Sequence, residues 1–338
     1  MSVTALASSI QPLWTLLEEY GQDPEPLFRK SGIDPVLLKN PNARLPVPAC
    51  NAAWLRASGR IADPCFGVKA GLHWHPSMFG ALGYAWLAST SLRTALGRLA
   101  RYTDLVLERG AVEVRDGRRG DVTVTLAYQG SPFTLPALAD ALLSFLLRLC
   151  RLNCGESLNP TRVTLFHSAP PEPGPYYTYF RCPVEFDAAH DSLTLSKAVV
   201  DQPLPSANPH LAHINDQEIV RYLGRLNRDR IAGRVQAAIV EQLPSGNVST
   251  ETVAQSLHVS SRTLNRQLQR EGTTFKAVVD AARRELAETY LKDQNFSLTQ
   301  LAFMLGFSEP SSFTRAYRRW TGTAPSTSRE DRTLRLSS

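Results

Sequence analysis

Thr252-Val253-Ala254-Gln255-Ser256-Leu257-His258-Val259-Ser260-Ser261 is written a second time about 48 residues later, as Gln300-Leu301-Ala302-Phe303-Met304-Leu305-Gly306-Phe307-Ser308-Glu309. Val253, Ala254, Leu257, Val259 and Ser260 fall on Leu301, Ala302, Leu305, Phe307 and Ser308. After one inserted residue, Leu264, Arg266 and Arg270 fall on Phe313, Arg315 and Arg319. The apolar spacing and the hydroxyl caps predict two short helices joined by a tight turn, twice over. In a helix-turn-helix the first helix crosses the nucleic-acid backbone and the second enters the major groove. A repeated pair with arginines on each second helix is suited to reading two grooves of DNA.

The first unit is expected over about 250–270. Ser249 is placed to cap its first helix, His258-Val259 to make the turn with Val259 plugging the core, and Ser260 to cap the second helix over 261–270. Arg262, Arg266 and Arg270 are spaced i, i+4, i+8 and share one face, with Asn265 beside them and Leu264 and Leu268 opposite. Arg can contact guanine in bidentate fashion and Asn adenine, each pair giving roughly 1–3 kcal/mol of discrimination. Ser260, Ser261 and Thr263 stand where a helix start favours phosphate. The second unit is expected over about 298–321, with Ser297 as cap, Gly306 in the turn and Ser308 or Pro310 opening the second helix. Ser311, Ser312 and Arg315 would face the groove, Arg318 and Arg319 would hold phosphate, and Phe313, Tyr317 and Trp320 would pack. One arginine face alone is ordinarily just solvated; two aligned copies carry the DNA reading.

The chain has 338 residues, room for two domains, and a formal charge of only +6. From Asp229 onward it holds 15 Lys and Arg against 11 Asp and Glu, so the placement of charge, not its amount, favours a polyanion. The N-terminus lacks the pattern of a signal peptide. No stretch reaches the roughly 20 apolar residues of a membrane span. Five scattered cysteines, Cys50, Cys65, Cys150, Cys154 and Cys182, fit reduced thiols. These features together predict a cytoplasmic protein with no membrane partner.

The N-terminal half mixes both patterns. The first twenty residues read as helix, Asn51 as the cap of a helix to about residue 61, and Ser91 as the cap of a long helix striped by Leu92, Ala95, Leu96, Leu99, Tyr102 and Val106. Residues 111–115 and 121–128 read as a hairpin around Gly117-Arg118-Arg119-Gly120, and 184–186 with 192–195 as a second. Residues 135–152 read as a buried helix and 162–167 as a strand. This irregular mixture predicts an α+β domain over 1–205. The proline-bearing stretch 202–209 marks a boundary, 206–229 a linker whose part 210–228 reads as a polar helix, and 230–331 an all-α domain with two helix-turn-helix units.

Ala302-Phe303-Met304-Leu305-Gly306-Phe307-Ser308-Glu309-Pro310-Ser311-Ser312-Phe313-Thr314-Arg315-Ala316-Tyr317-Arg318-Arg319-Trp320-Thr321-Gly322, followed by Ala324-Pro325-Ser326, resembles the signature of the AraC/XylS family of bacterial transcription regulators. Val259-Ser260-Ser261-Arg262-Thr263-Leu264 is similar to that family's first recognition helix. The resemblance implies two units on a long joining helix, entering successive major grooves of promoter DNA. By motif position, Arg262, Asn265 and Arg266 would read bases in the first unit, and Ser311, Ser312 and Arg315 in the second. Where the family usually has Tyr, this chain has Ser328 in Pro325-Ser326-Thr327-Ser328-Arg329, which is expected to loosen the C-terminal end. Met78-Phe79-Gly80-Ala81-Leu82-Gly83-Tyr84 and Phe180-Arg181-Cys182-Pro183-Val184-Glu185-Phe186 resemble the subgroup whose arabinose-binding-type sensor begins with helices. That implies a small-molecule effector or dimerisation, and RNA polymerase as a partner. It leaves activation and repression open, and names no effector.

Trp74, Phe79, Tyr84, Trp86 and Tyr102 are the candidates for lining an apolar effector pocket, plain core being the ordinary role of such residues. His73-Trp74-His75 does not place its two imidazoles together on a strand or helix, and Cys150 and Cys154 lack metal-ligating company, so no metal and no cofactor are expected. One rival reading is a DNA-repair enzyme that transfers an alkyl group to a reactive cysteine. Cys182-Pro183 lacks the activating surroundings this needs, and no nucleophile elbow, P-loop or dinucleotide fingerprint is present. A second rival is an architectural DNA binder without an effector.

Overall fold

The computed structural model describes residues 3–40, 42–117, 120–131, 133–226, 231–291 and 296–329. The chain divides into two compact units, Met1–Asn208 and Pro209–Ser338.

Unit 1 is α+β. Strands β1 (Thr4–Leu6) and β2 (Arg44–Pro46) pair antiparallel. Strands β3 (Gly110–Asp116), β4 (Val122–Tyr128), β5 (Arg162–Thr164), β6 (Val184–Glu185) and β7 (Asp191–Leu195) form one sheet in the order β3-β4-β7-β5-β6. Its helices are α1 (Gln11–Glu19), α2 (Pro24–Lys30), α3 (Val47–Ser58), α4 (Phe66–Ala70), α5 (Ala81–Leu87), α6 (Leu92–Arg101), α7 (Thr103–Val106), α8 (Pro136–Cys154), α9 (Gly174–Phe180) and α10 (Lys197–Val200). β4 alternates as a half-buried strand should: Val122, Val124 and Leu126 point inward. α8 buries Leu143, Leu146, Leu147 and Leu149, so it is wrapped on most sides.

Several expectations change. The chain begins with a strand and a 3-10 turn over Ala7–Ile10 before α1. α3 starts at Val47, with Asn51 inside it, because proline is tolerated in a first helical turn. Ser91 does cap α6, in a reciprocal box with Thr94, but the helix breaks at Tyr102 before α7. The hairpin β3–β4 forms. The second expected hairpin does not: β5 lies between the two strands, pairing parallel with β6 and antiparallel with β7. A strand from elsewhere in the chain supplies more apolar contact than the local turn, and Val163 and Leu193 are fully buried there. Arg118 and Arg119 lie outside the described residues.

Asp140 on α8 is fully buried. It accepts from His167 Nε2 at 2.9 Å and from the Tyr176 hydroxyl at 2.6 Å, joining α8 to the segment after β5 and to α9. Burial raises the Asp140 pKa, with His167 and Tyr176 opposing it. Burial alone would lower His167, but the hydrogen bond and charge of Asp140 outweigh it and leave its pKa above the ordinary 6.5. Both shifts make the folded state the better proton acceptor. The stabilisation from the raised His167 is complete below the ordinary histidine value and is lost as pH rises through its folded value; the raised Asp140 has the same sign, starting from the ordinary carboxylate value. The urea midpoint followed by tryptophan fluorescence is therefore expected to fall as pH rises above the ordinary histidine value of 6.5. Trp14, Trp54, Trp74 and Trp86 make this signal mainly one of unit 1. His167→Phe should flatten the slope; a midpoint that rises with pH would contradict the account.

Unit 2 is all-helical: α11 (Pro209–Leu226), α12 (Ile231–Gln242), α13 (Thr250–Ser256), α14 (Ser261–Arg270), α15 (Phe275–Tyr290), α16 (Leu298–Met304) and α17 (Pro310–Thr321). The stretch 206–229, read as a linker, is mostly α11. Ala212, Asp216, Ile219 and Val220 form its buried stripe. A Cβ on Gly224 would lie 2.4 Å from Ala237 Cβ and 2.6 Å from the Gly233 oxygen, so α11 and α12 meet at backbone distance. The His213 ring packs on Tyr290 of α15 at 4.5 Å. Glu271, just after α14, accepts from the Ile231 and Ala232 amides at 2.6 and 3.0 Å and so caps α12.

Candidate DNA-binding surface and sensor cavity

The two helix pairs repeat in the caps of their first helices and in their turns, down to single hydrogen bonds. Ser249 caps α13 in a box with Thr252, and Ser297 caps α16 in a box with Gln300. In the first turn the His258 amide donates to Gln255 at 3.1 Å and Val259 to Ala254 at 3.0 Å. In the second, Gly306 donates to Phe303 at 2.9 Å and Phe307 to Ala302 at 3.0 Å. His258 and Gly306 are both left-handed, at φ 55° and 71°. Val253, Ala254, Leu264 and Leu268 are buried in one unit, and Leu301, Ala302, Leu305 and Phe313 in the other. Val259 is only half-buried, a looser plug than expected.

On α14, Arg262, Asn265, Arg266 and Arg270 are all exposed, and none of their side chains makes a hydrogen bond or ion pair among the described residues. They form an uncommitted cationic and amide face. Gln269, one turn after Asn265 and also exposed, extends it. Its i+4 spacing from Asn265 was the available sequence signal, and glutamine can read adenine as asparagine does. Ser261 and Thr263 are half-buried. Thr263 is partly spent on the cap, its amide donating to Ser260 Oγ at 3.1 Å and the two hydroxyls lying 2.9 Å apart.

The α17 face is more committed. Arg315 Nη2 donates to Ser312 Oγ at 3.2 Å, and Ser311 Oγ to Glu309 Oε2 at 3.2 Å. Arg318 is exposed. Arg319 reaches back to Asp280 of α15, Nη2 to Oδ1 at 3.0 Å, which competes with the phosphate role expected of it. Arg283 of α15 was not anticipated. Its Nε donates to the Leu305 carbonyl at 3.0 Å and its Nη2 to the Gly306 carbonyl at 2.9 Å. Its guanidinium also lies over the Phe307 ring at 4.3 Å. Burial lowers its pKa, with Asp280 opposing. A cleft of about 490 Å³ runs between α15 and α17, with Lys276, Arg283, Arg315 and Arg319 on its walls beside Asp280. At the C-terminal end, Ser328 Oγ lies 2.8 Å from Thr323 Oγ1, a small polar tie where the tyrosine would be.

Unit 1 holds a second cavity of about 330 Å³ between the N-terminal strand, α3, the turn after β4 and the start of α8. Trp74 and Phe79 line it, as do Trp54, Leu138 and Leu142. Tyr84, Trp86 and Tyr102 do not. Tyr84 is half exposed, and Trp86 and Tyr102 are fully buried in the core, where Trp86 Nε1 donates to the Leu149 carbonyl at 3.2 Å. An aromatic stripe marks burial but not which side of a side chain meets empty space. His73 pairs with Glu19 at 3.0 Å and His75 caps the 3-10 turn Pro76–Phe79, so the two imidazoles have separate partners.

Residues 21–204 match the arabinose-binding domain of AraC transcription regulators, and residues 253–331 match a helix-turn-helix domain. The chain is 29% identical over 332 residues to the ornithine utilization regulator of Pseudomonas aeruginosa, covering 95% of this chain and 94% of that one. It is 26% identical over 317 residues to the HTH-type transcriptional regulator VirS of Mycobacterium tuberculosis, covering 92% of each. The crystal structure of the transcriptional regulator CdpR from Pseudomonas aeruginosa has the same fold, with a TM-score of 0.50 over 96% of this chain and 98% of that one at 24% identity. No helix among the described residues is long and apolar enough to cross a membrane. With its arabinose-binding-type N-terminal domain and its helix-turn-helix region, the chain belongs to the AraC family of DNA-binding transcription regulators.

Proposed function

We propose that Arg262, Asn265 and Arg266, joined by Gln269, set most of the sequence choice, and that α17 adds affinity and register through Arg315 and Arg318. The observation that carries this reading is the uncommitted polar face of α14, beside an α17 face whose Ser311, Ser312 and Arg315 already have partners. An effector in the cavity of unit 1 shifts the population in which both heads engage DNA at once. Promoter DNA and RNA polymerase are the macromolecular partners, in a cytoplasmic protein able to form homodimers. The chain acts by binding, without chemistry of its own. Burial pushes the Cys182 thiol up to about 11, whereas nucleophilic thiols are depressed.

Selection of bound sequences from a random DNA pool tests this reading. Two blocks about one helical turn apart are expected. Arg266→Ala should erase the preference at one position of one block, at about 1–3 kcal/mol of discrimination. Arg318→Ala should weaken all sequences alike and reduce the salt slope by about 1. If Arg266→Ala leaves the selected motif intact, the assignment of the α14 face is wrong; if the full chain selects no motif, it is an architectural binder instead.

A further inference from the structure

The walls of the unit 1 cavity carry a chemical signature. Among the described residues that line it there is no Asp, Glu, Lys, Arg or His. Trp54, Trp74, Phe79, Leu138 and Leu142 make it mainly apolar. The Cys50 thiol on the same wall is pushed up to about 12 by burial, as expected where a charge is poorly solvated. The polar groups are neutral, and Gln129 and Tyr128 are spent on each other, Gln129 Nε2 donating to the Tyr128 hydroxyl at 3.2 Å. The side chains of Ser9, Asn51 and Thr134 make no hydrogen bond among the described residues. The free hydroxyl and amide groups of Ser9, Asn51 and Thr134 are available to one or two hydrogen-bonding groups of a ligand. A charged group entering the same space would lose its hydration with no counter-charge to replace it.

We infer that the effector of this chain is an uncharged, largely apolar small molecule bearing one or two hydrogen-bonding groups, held in the cavity between α3 and the start of α8. The inference rests on the reading of unit 1 as an effector sensor. It separates this chain from its ornithine-related relative. Ornithine itself carries two amino groups and a carboxylate, and none of these finds an opposite charge on the cavity wall. The volume, about 330 Å³, is at the small end of ligand pockets and suits a molecule of two or three rings or its aliphatic equivalent.

A matched pair of fluorescent probes tests the class on the full chain. N-phenyl-1-naphthylamine is neutral; 8-anilino-1-naphthalenesulfonate has the same ring skeleton plus a sulfonate. Leu138→Trp fills the cavity from α8 and Thr134→Trp fills it from its exposed rim, so a folding defect in one does not remove the test. Binding counts only where both folded variants, or the one that folds, weaken it at least about tenfold (roughly 1.4 kcal/mol). The neutral probe is expected to bind in this sensitive manner, the sulfonate at least about tenfold more weakly, and L-ornithine not at all by calorimetry. If the sulfonate or ornithine binds as tightly as the neutral probe and is lost on filling the cavity, the cavity is a sensor site but the uncharged class is wrong. If none of the three shows binding sensitive to filling, the sensor reading of this cavity fails as well.

Discussion

Gly306→Ala is expected to disable the second reading head. At φ 71° any L side chain is strained, at a cost of roughly 1–2 kcal/mol. The new Cβ would also lie 2.5 Å from the Leu243 carbonyl oxygen. That oxygen belongs to the turn between α12 and α13, a backbone atom with no rotamer to change. Overpacking of this kind costs about 1–3 kcal/mol more. The urea midpoint of unit 2 should fall accordingly, and the footprint should keep the α14 block while losing the α17 block. Losing one of two linked heads lowers affinity by about 100-fold or more. His258→Ala is the matched control. His258 already occupies the equivalent left-handed position at φ 55°, so replacing one L residue by another there should change stability little. Equal effects of the two substitutions would show that the contact with Leu243 does not matter.

Arg283→Met should have an effect of similar size by a different route. Methionine keeps most of the volume but leaves the Leu305 and Gly306 carbonyls without their charged donor. Hydrogen bonds to charged groups contribute roughly 1.5–3 kcal/mol each, and stacking over Phe307 adds about 0.5–2 kcal/mol. Solvent reaches this half-buried site, so a net loss of about 2–5 kcal/mol is expected rather than the full sum. Amide exchange at Gly306 and Phe307 should accelerate in the variant while exchange at His258 and Val259 stays unchanged. Arg283→Lys should recover only part of the loss, because an ammonium is a point charge and cannot span two carbonyls as a planar fork does. Unchanged exchange in Arg283→Met would remove the clamp from the account of the second head.

Together these contacts explain how the heads hold a fixed spacing. The second turn is lodged against Leu243, next to the first head, and fastened by Arg283 from the joining helix. The sequence pointed to Arg318 and Arg319 because they are basic and lie further along the second recognition helix. It gave no reason to single out Arg283, whose partners lie 22 and 23 residues away. Arg319 reads as a phosphate ligand by position, yet Asp280 holds it, and that pairing depends on how α15 crosses α17.

In unit 1 the same division holds. The β3–β4 hairpin was legible because its partners are joined by a short turn. The placement of β5 between β6 and β7 was not, since strand order is settled by which apolar faces meet. α11 looked like a linker because its apolar stripe is thin; its membership in unit 2 rests on the close approach at Gly224. Of the five aromatic residues named for a pocket, only Trp74 and Phe79 reach it.

Both helix-turn-helix units, the caps Ser249, Ser260 and Ser297, the two turns and the polar face of α14 were determined by the sequence alone, because helix periodicity and capping are set by residues three or four apart. The tertiary structure alone decided which basic side chains are already held by protein partners, which one fastens the second turn, and that a cavity without charged lining exists in unit 1. Those properties depend on distances between residues far apart in the chain, which folding creates and spacing along the sequence does not record.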